Sequence, residues 1–337
     1  MYTAKRIPLH IVLPFAWRTV LFFVIYSFAI CALHVWLGWT FLAIPFIPIA
    51  TIGTAVAFYV GFKNNSSYER LWEARRIWGG LVNASRTWGM MVMDYVSNLD
   101  APVCYASAEL NQIQQQLIYR HIAYLNALRL QLRSRPIWQE DRNIGTNIVE
   151  KHQASMQGLL DKELSLFLHD EEVVFFIKQQ NPATQIIKQQ SKHLQELRKE
   201  GLISEFYHSE MMRVLSEFYN QQGAAERIKS FPFPRQYAYF SYVFVWLFVI
   251  MLPFGLITEM SKVSGWHVWL TIPFYTIISW VFYTMEVVGD TSENPFENSI
   301  NDIPMTAICR NVEIDLREML GETELPPKVQ AVNNILM

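Results

Sequence analysis

Residues able to do chemistry are sparse in this sequence, and the most telling group is a polar stretch, Gly289 to Leu320, directly after an apolar run. There Asn294, Pro295 and Phe296 break a helix as it leaves the apolar run, and Asn301, Asp302 and Pro304 restart structure beyond it. His121, His152, His169, His193 and His208 are scattered, without a His-Glu-x-x-His pattern or paired cysteines beside them. No glycine-rich phosphate loop opens a helix after a strand, so neither an enzyme nor a cofactor nor a bound metal is expected. A second group lies in Phe41 to Phe62, where Pro45 and Pro48 are followed by Thr51, Gly53 and Thr54. Each proline removes a helix hydrogen bond and costs ~3 kcal/mol in an ordinary helix interior. Freed carbonyls at membrane depth are tolerated where they meet protein or line a wet cavity, so this segment is the candidate permeation path. The same kink can also serve only to pack helices.

Four apolar windows must position these residues: Trp17 to Trp39, Phe41 to Phe62, Tyr237 to Ile257 and Trp266 to Val288. Each holds about twenty residues, and at about 1.5 Å of rise per residue that matches the roughly 30 Å of bilayer hydrocarbon. Buried helices of a large soluble core are the alternative, but four such windows in two adjacent pairs argue against it. The short links within the pairs, Gly38 to Thr40 and Thr258 to Gly265, contain one basic residue, Lys262, of the chain's 28. Lys5, Arg6, Arg18, Lys63, Arg70, Arg75, Arg76 and Arg235 lie on the other side or at a membrane edge, which makes that side cytoplasmic. The first window reads as a retained anchor, because no small-residue cleavage site follows it.

The expected fold class is all-α, a polytopic membrane protein with four transmembrane helices and a large cytoplasmic helical domain. Its parts are a cytoplasmic strap over 1–16, membrane helices over 17–62, a soluble helical domain over 63–234, membrane helices over 235–288 and a cytoplasmic tail over 289–337. Leu71, Trp72, Trp78, Leu81 and Val82 form one apolar stripe of the soluble part, and Leu117, Ile118, Ile122, Leu125, Leu128 and Leu132 form another. Breaks are expected near Asp100 to Pro102, Arg135 to Pro136, Gln180 to Pro182, Gly201 and Phe231 to Pro234. A net charge of −2 carries no basic surplus for nucleic acid, and Cys31, Cys104 and Cys309 do not make a disulfide framework. On the helix after Pro48, Ile47, Thr51 and Ala55 share a face at spacings of four. One copy cannot enclose a pore with so little polar lining; an oligomer with this helix around its axis can, and an apolar ring can gate by dewetting.

Four ordered blocks resemble the bestrophin family, in its bacterial branch. RIPLHIVLPFAWRTVLFFVIYSF is similar to the family's amino-terminal strap and first membrane helix, and GFKNNSSYERLWEARRIWGGLVNASRTWG to the exit of its second helix. ERIKSFPFPRQYAYF looks like the start of the third, and NPFENSINDIPMTAICRNVEIDL is the most specific block. The resemblance implies a homopentameric ion channel in a bilayer, passing small monovalent ions, with chloride-like anions as the family expectation. It implies multi-pass residence in the plasma (inner) membrane if the chain is bacterial. The neck-lining positions fall on Ile47, Thr51 and Ala55, whereas the animal pattern has phenylalanine at the second and third. A cytoplasmic exit constriction falls in GLISEFYHSEM, at Ile203 and Tyr207, and the structural motif after the fourth helix is Asn294, Pro295, Phe296 and Asp302. Animal members clasp calcium after Asn-Pro-Phe; here two carboxylates, Glu297 and Asp302, are separated by neutral residues, so calcium gating is not expected. A monovalent-cation channel of the same fold stays open, because phenylalanine edges are missing from the neck and the tail is acidic. A coupled transporter and a non-conducting scaffold are the other readings, although the central window has no ionisable residue.

Overall fold

The computed structural model describes residues 1–5, 9–98, 101–102, 104–134, 157–263 and 265–337, with the backbone alone at 9–13, 15 and 265. Its main helices are α1 Leu9–Trp36, α2 Phe46–Tyr95, α3 Ser107–Arg133, α4 Asp170–Ile177, α5 Pro182–Lys199, α6 Glu205–Ser230, α7 Arg235–Ser261, α8 Thr271–Thr291 and α9 Met305–Met319. A further helical stretch covers 157–164. Among the described residues there is no strand ladder, only isolated bridges from Ile335 to Tyr2 and Val332. Arg6, Asp100, Arg135, Pro136 and His152 lie outside the described residues.

The chain divides into two compact units. The first comprises Ala4–Leu71 and Pro232–Asn294. It contains α1, the first half of α2, α7 and α8. Helices α1, α2, α7 and α8 are each long and apolar enough to cross a membrane. All four contribute to one core: Phe23 from α1, Ile49, Val56 and Val60 from α2, Val245, Phe248, Val249, Leu252 and Leu256 from α7, and Tyr275 from α8. Small residues let the backbones approach, as interfaces between apolar helices require. At Gly53 any Cβ would strike the Phe248 ring. The turn leaving α1 uses Gly38 at φ +67°, a left-handed conformation that suits a residue without a side chain.

The second unit comprises Met1–Thr3, Trp72–Phe231 and Pro295–Met337. Its centre is α3, buried on nearly every side from Leu117 to Leu132 and packed by α5, α6 and α9. The α3 stripe expected from the sequence, Leu117 to Leu132, is buried, and so are Trp78 and Leu81 of the other; Trp72 is exposed. Helix starts follow local chemistry. The Asn181 side chain accepts the Thr184 N–H at 3.0 Å ahead of Pro182 at the first turn of α5, and the Ser204 hydroxyl accepts the Tyr207 N–H at 3.3 Å to start α6. Gly201, at φ +75°, makes the turn between those two helices.

Candidate functional site

The first half of α2 has two unlike faces. Ile49, Gly53, Val56, Val60, Lys63 and Ser67 are buried, recurring every three or four residues, while Ile47, Thr51, Thr54, Ala55, Phe58 and Phe62 are exposed. Ile47 and Phe58 are each 79% exposed. The three expected neck residues Ile47, Thr51 and Ala55 therefore share one uncovered stripe with no charge in it. The hydroxyls of that stripe are turned back on the helix, Thr51 Oγ1 donating to the Ile47 carbonyl and Thr54 Oγ1 to the Ala50 carbonyl, both at 3.0 Å. What each threonine offers outward is a methyl group and oxygen lone pairs.

The expected proline kink is replaced by a late helix start. Thr40–Leu42 forms a short 3-10 turn, and α2 begins only at Phe46. Pro45 thus precedes the helix and Pro48 sits in its first turn, where amides have no intrahelical partner and proline costs little. The Ile44 carbonyl lies before the helix and has no helix amide, and the Thr258 hydroxyl of α7 donates to that oxygen at 2.7 Å. The Ile44 N–H in turn reaches the Phe254 carbonyl at 3.3 Å.

The sequence reading did not reveal the charged group on the buried face. Lys63 continues the apolar stripe of Val56 and Val60, yet its ammonium lies 2.6 Å from Glu286 Oε1 of α8, and both side chains are buried. Ser241 of α7 donates to the other oxygen of Glu286, and Asp290 Oδ1 stands 3.9 Å from the same ammonium. Just past α8, burial pushes the Glu293 carboxyl up, while Arg235 at 3.5 Å pulls it back. The available signal was positional: Lys63 falls on the buried three-and-four spacing, and Glu286 is the one carboxylate inside Trp266 to Val288.

In the other unit, Ile203 is 2% exposed and Tyr207 is half-buried, its ring stacked 4.1 Å from that of Tyr95. The uncovered apolar side chain of that segment is Phe206, 69% exposed on the first turn of α6. Within the Asn-Pro-Phe motif, Asn294 is half-buried in the first unit, and Pro295 and Phe296 are buried in the second. Phe296 and Asn298 take positive φ values of 75° and 66°. Asp302, also buried, gathers this turn: Oδ1 accepts the amides of Phe296 and Ile303 at 2.9 and 2.7 Å, and Oδ2 accepts that of Asn298 at 2.8 Å. Among the described residues no cluster of His, Cys, Asp and Glu has the geometry to hold a metal ion.

Known proteins match nearly the whole chain. It is 29% identical over 308 residues to voltage-dependent anion channel-forming protein YneE of Escherichia coli K12, covering 90% of this chain and 86% of that protein. It is 25% identical over 307 residues to voltage-dependent anion channel-forming protein mll4386 of Mesorhizobium japonicum, covering 91% and 85%. The crystal structure of a bacterial bestrophin homologue from Klebsiella pneumoniae shares the fold at a TM-score of 0.73 and 24% identity, over 90% of this chain and 98% of that one. The profile described as Bacterial/Fungal Bestrophin protein matches residues 8–318. With α1 to α8 and almost all of α9 inside that match, the chain belongs to the bacterial and fungal bestrophin family.

Proposed function

We propose that this chain is the protomer of a homopentameric channel in the plasma membrane, passing small monovalent anions by passive diffusion. Four helices, α1, α2, α7 and α8, cross the bilayer, with both ends and the long central segment in the cytoplasm. The observation that carries this reading is the uncharged, uncovered stripe Ile47, Thr51, Ala55 on a helix whose opposite face is buried. Copies related by rotation place that stripe around one water column. The neck is then formed by rings of Ile47, Thr51 and Ala55, narrow and mostly apolar, and able to stop flow by losing water. A second narrowing lies at the cytoplasmic exit in 203–207, where Phe206 is the side chain with room to project, while Ile203 is held inside its own chain. The names of the E. coli and M. japonicum relatives support anions as the conducted species.

A monovalent-cation channel of the same architecture is the second reading. It is favoured by the hydroxyls of Thr51 and Thr54, whose protons point into the helix and leave acceptor oxygens outward. Purified protein in a planar bilayer under a salt gradient tests both. A reversal potential near the anion equilibrium value supports the first, one near the cation value supports the second, and absence of unitary current removes the channel altogether.

A further inference from the structure

The buried stripe of α2 is apolar from Ile49 through Val60 and then meets a full charge at Lys63. An ammonium on that face, out of water, is tolerable only against a counter-charge at hydrogen-bond distance, and Glu286 supplies it at 2.6 Å. The carboxylate is itself fixed from a third helix, because Ser241 of α7 donates to its second oxygen. One node therefore joins α2, α7 and α8, at the end of the core these helices share.

We propose that Lys63 and Glu286 are positioning residues of the conduction path: the pair locks the rotation and axial register of α2, and so decides which α2 side chains face the ions. This rests on the reading of the α2 stripe as pore lining. A shift of one residue along α2 turns the helix by about 100° and moves it by about 1.5 Å. Such a shift separates the pair and leaves two uncompensated buried charges, an outcome far costlier than sliding one apolar side chain past another. The apolar stripe constrains the register only where Gly53 meets the Phe248 ring, since Val56 and Val60 present similar surfaces in neighbouring registers. Conduction states that keep the pair intact therefore cannot differ by a rotation of α2 alone. The neck changes by side-chain rotation, or α2, α7 and α8 move as a block.

The test uses the full chain in lipid vesicles, with Cys104→Ser removing the exposed native thiol; Cys31 and Cys309 are buried. Ala55→Cys probes the exposed stripe and Val56→Cys the buried one, read by a membrane-impermeant thiol reagent together with unitary conductance. With Lys63 and Glu286 present, Ala55→Cys is modified and Val56→Cys is protected. The double variant K63M/E286L removes both charges without leaving either alone, so it keeps the protein foldable even where Lys63→Met or Glu286→Gln does not assemble. In it the ratio of the two modification rates collapses by about tenfold or more and the unitary conductance changes about twofold. If K63M/E286L retains both the protection of Val56→Cys and the parent conductance, the pair sets nothing and the proposal falls. If Ala55→Cys is refractory in the parent protein and its treatment leaves the current intact, the stripe is not in the path, and the pore reading falls first.

Discussion

The Asp302 carboxylate accepts the backbone N–H of Phe296 at 2.9 Å, closing the turn that lies between α8 and α9. The same side chain holds the amides of Asn298 and Ile303, so one carboxylate answers three buried or half-buried donors. Phe296 and Asn298 take left-handed conformations, and this carboxylate holds both of their amides, with the Asp302 N–H closing the turn on the Ser299 carbonyl at 3.1 Å.

Asp302→Asn keeps the size but loses the charge and one acceptor. Hydrogen bonds to a charged group each contribute about 1.5–3 kcal/mol, so this change should cost about 2 kcal/mol and Asp302→Ala more. Denaturant midpoints of the purified protein check this, and an Asp302→Asn midpoint equal to the parent's would deny the carboxylate its organising part.

Thr51→Phe places an aromatic ring on the stripe facing the proposed water column. The substitution should alter unitary conductance or the reversal potential, because a ring of phenylalanines is narrower and drier than one of threonines. An unchanged current in planar bilayers would take Thr51 out of the neck.

Gly289 of α8 packs so closely on Asn64 that a Cβ would overlap the Asn64 amide oxygen, a buried atom with no hydrogen-bond partner among the described residues. Gly289→Ala should therefore destabilise the protein by about 1–3 kcal/mol, the usual cost of overpacking. Asn64→Ala in the same chain should recover most of it. A double-mutant cycle on thermal midpoints measures the coupling, and simple additivity would rule out the steric account.

Acid should loosen the second unit through His193. Burial, and then the Arg120 guanidinium whose Nη1 lies 3.0 Å from Nδ1, hold this imidazole down to about 4 from its ordinary 6.5. Between those values the unfolded chain binds a proton that the folded one refuses. Stability present above pH 6.5 is accordingly lost as pH falls toward 4. His121, wholly buried and lowered to about 3 by desolvation, acts in the same direction over a wider window. His193→Gln can still accept from Arg120 but cannot titrate, so its melting temperature should fall less steeply between pH 6.5 and 4. Parallel curves for parent and variant would assign the acid sensitivity elsewhere.

The four apolar windows were legible because twenty-residue runs leave few alternatives; those on α1, α7 and α8 end within a few residues of their helices, while α2 runs on past its window to Tyr95. The face bearing Ile47, Thr51 and Ala55 was legible for a similar reason, since spacing by four survives any detail of packing. The late start of α2 was not. A proline inside an apolar run reads equally as a kink or as a first turn, and only the place where the helix begins decides between them. Nor was the Lys63 and Glu286 pair, whose members stand 223 residues apart and meet only once α2 and α8 are packed. A lone lysine at the edge of a membrane window looks like any other marker of the cytoplasmic side.

The Thr258 hydroxyl anchors a main-chain oxygen, and a main-chain oxygen is the same whatever side chain stands at position 44. Two positions more than two hundred residues apart are thereby joined, yet only one of them is visible to selection through this contact. Position 44 can drift while position 258 must keep a hydroxyl. Across many relatives, serine or threonine should hold at 258 beside varied residues at 44.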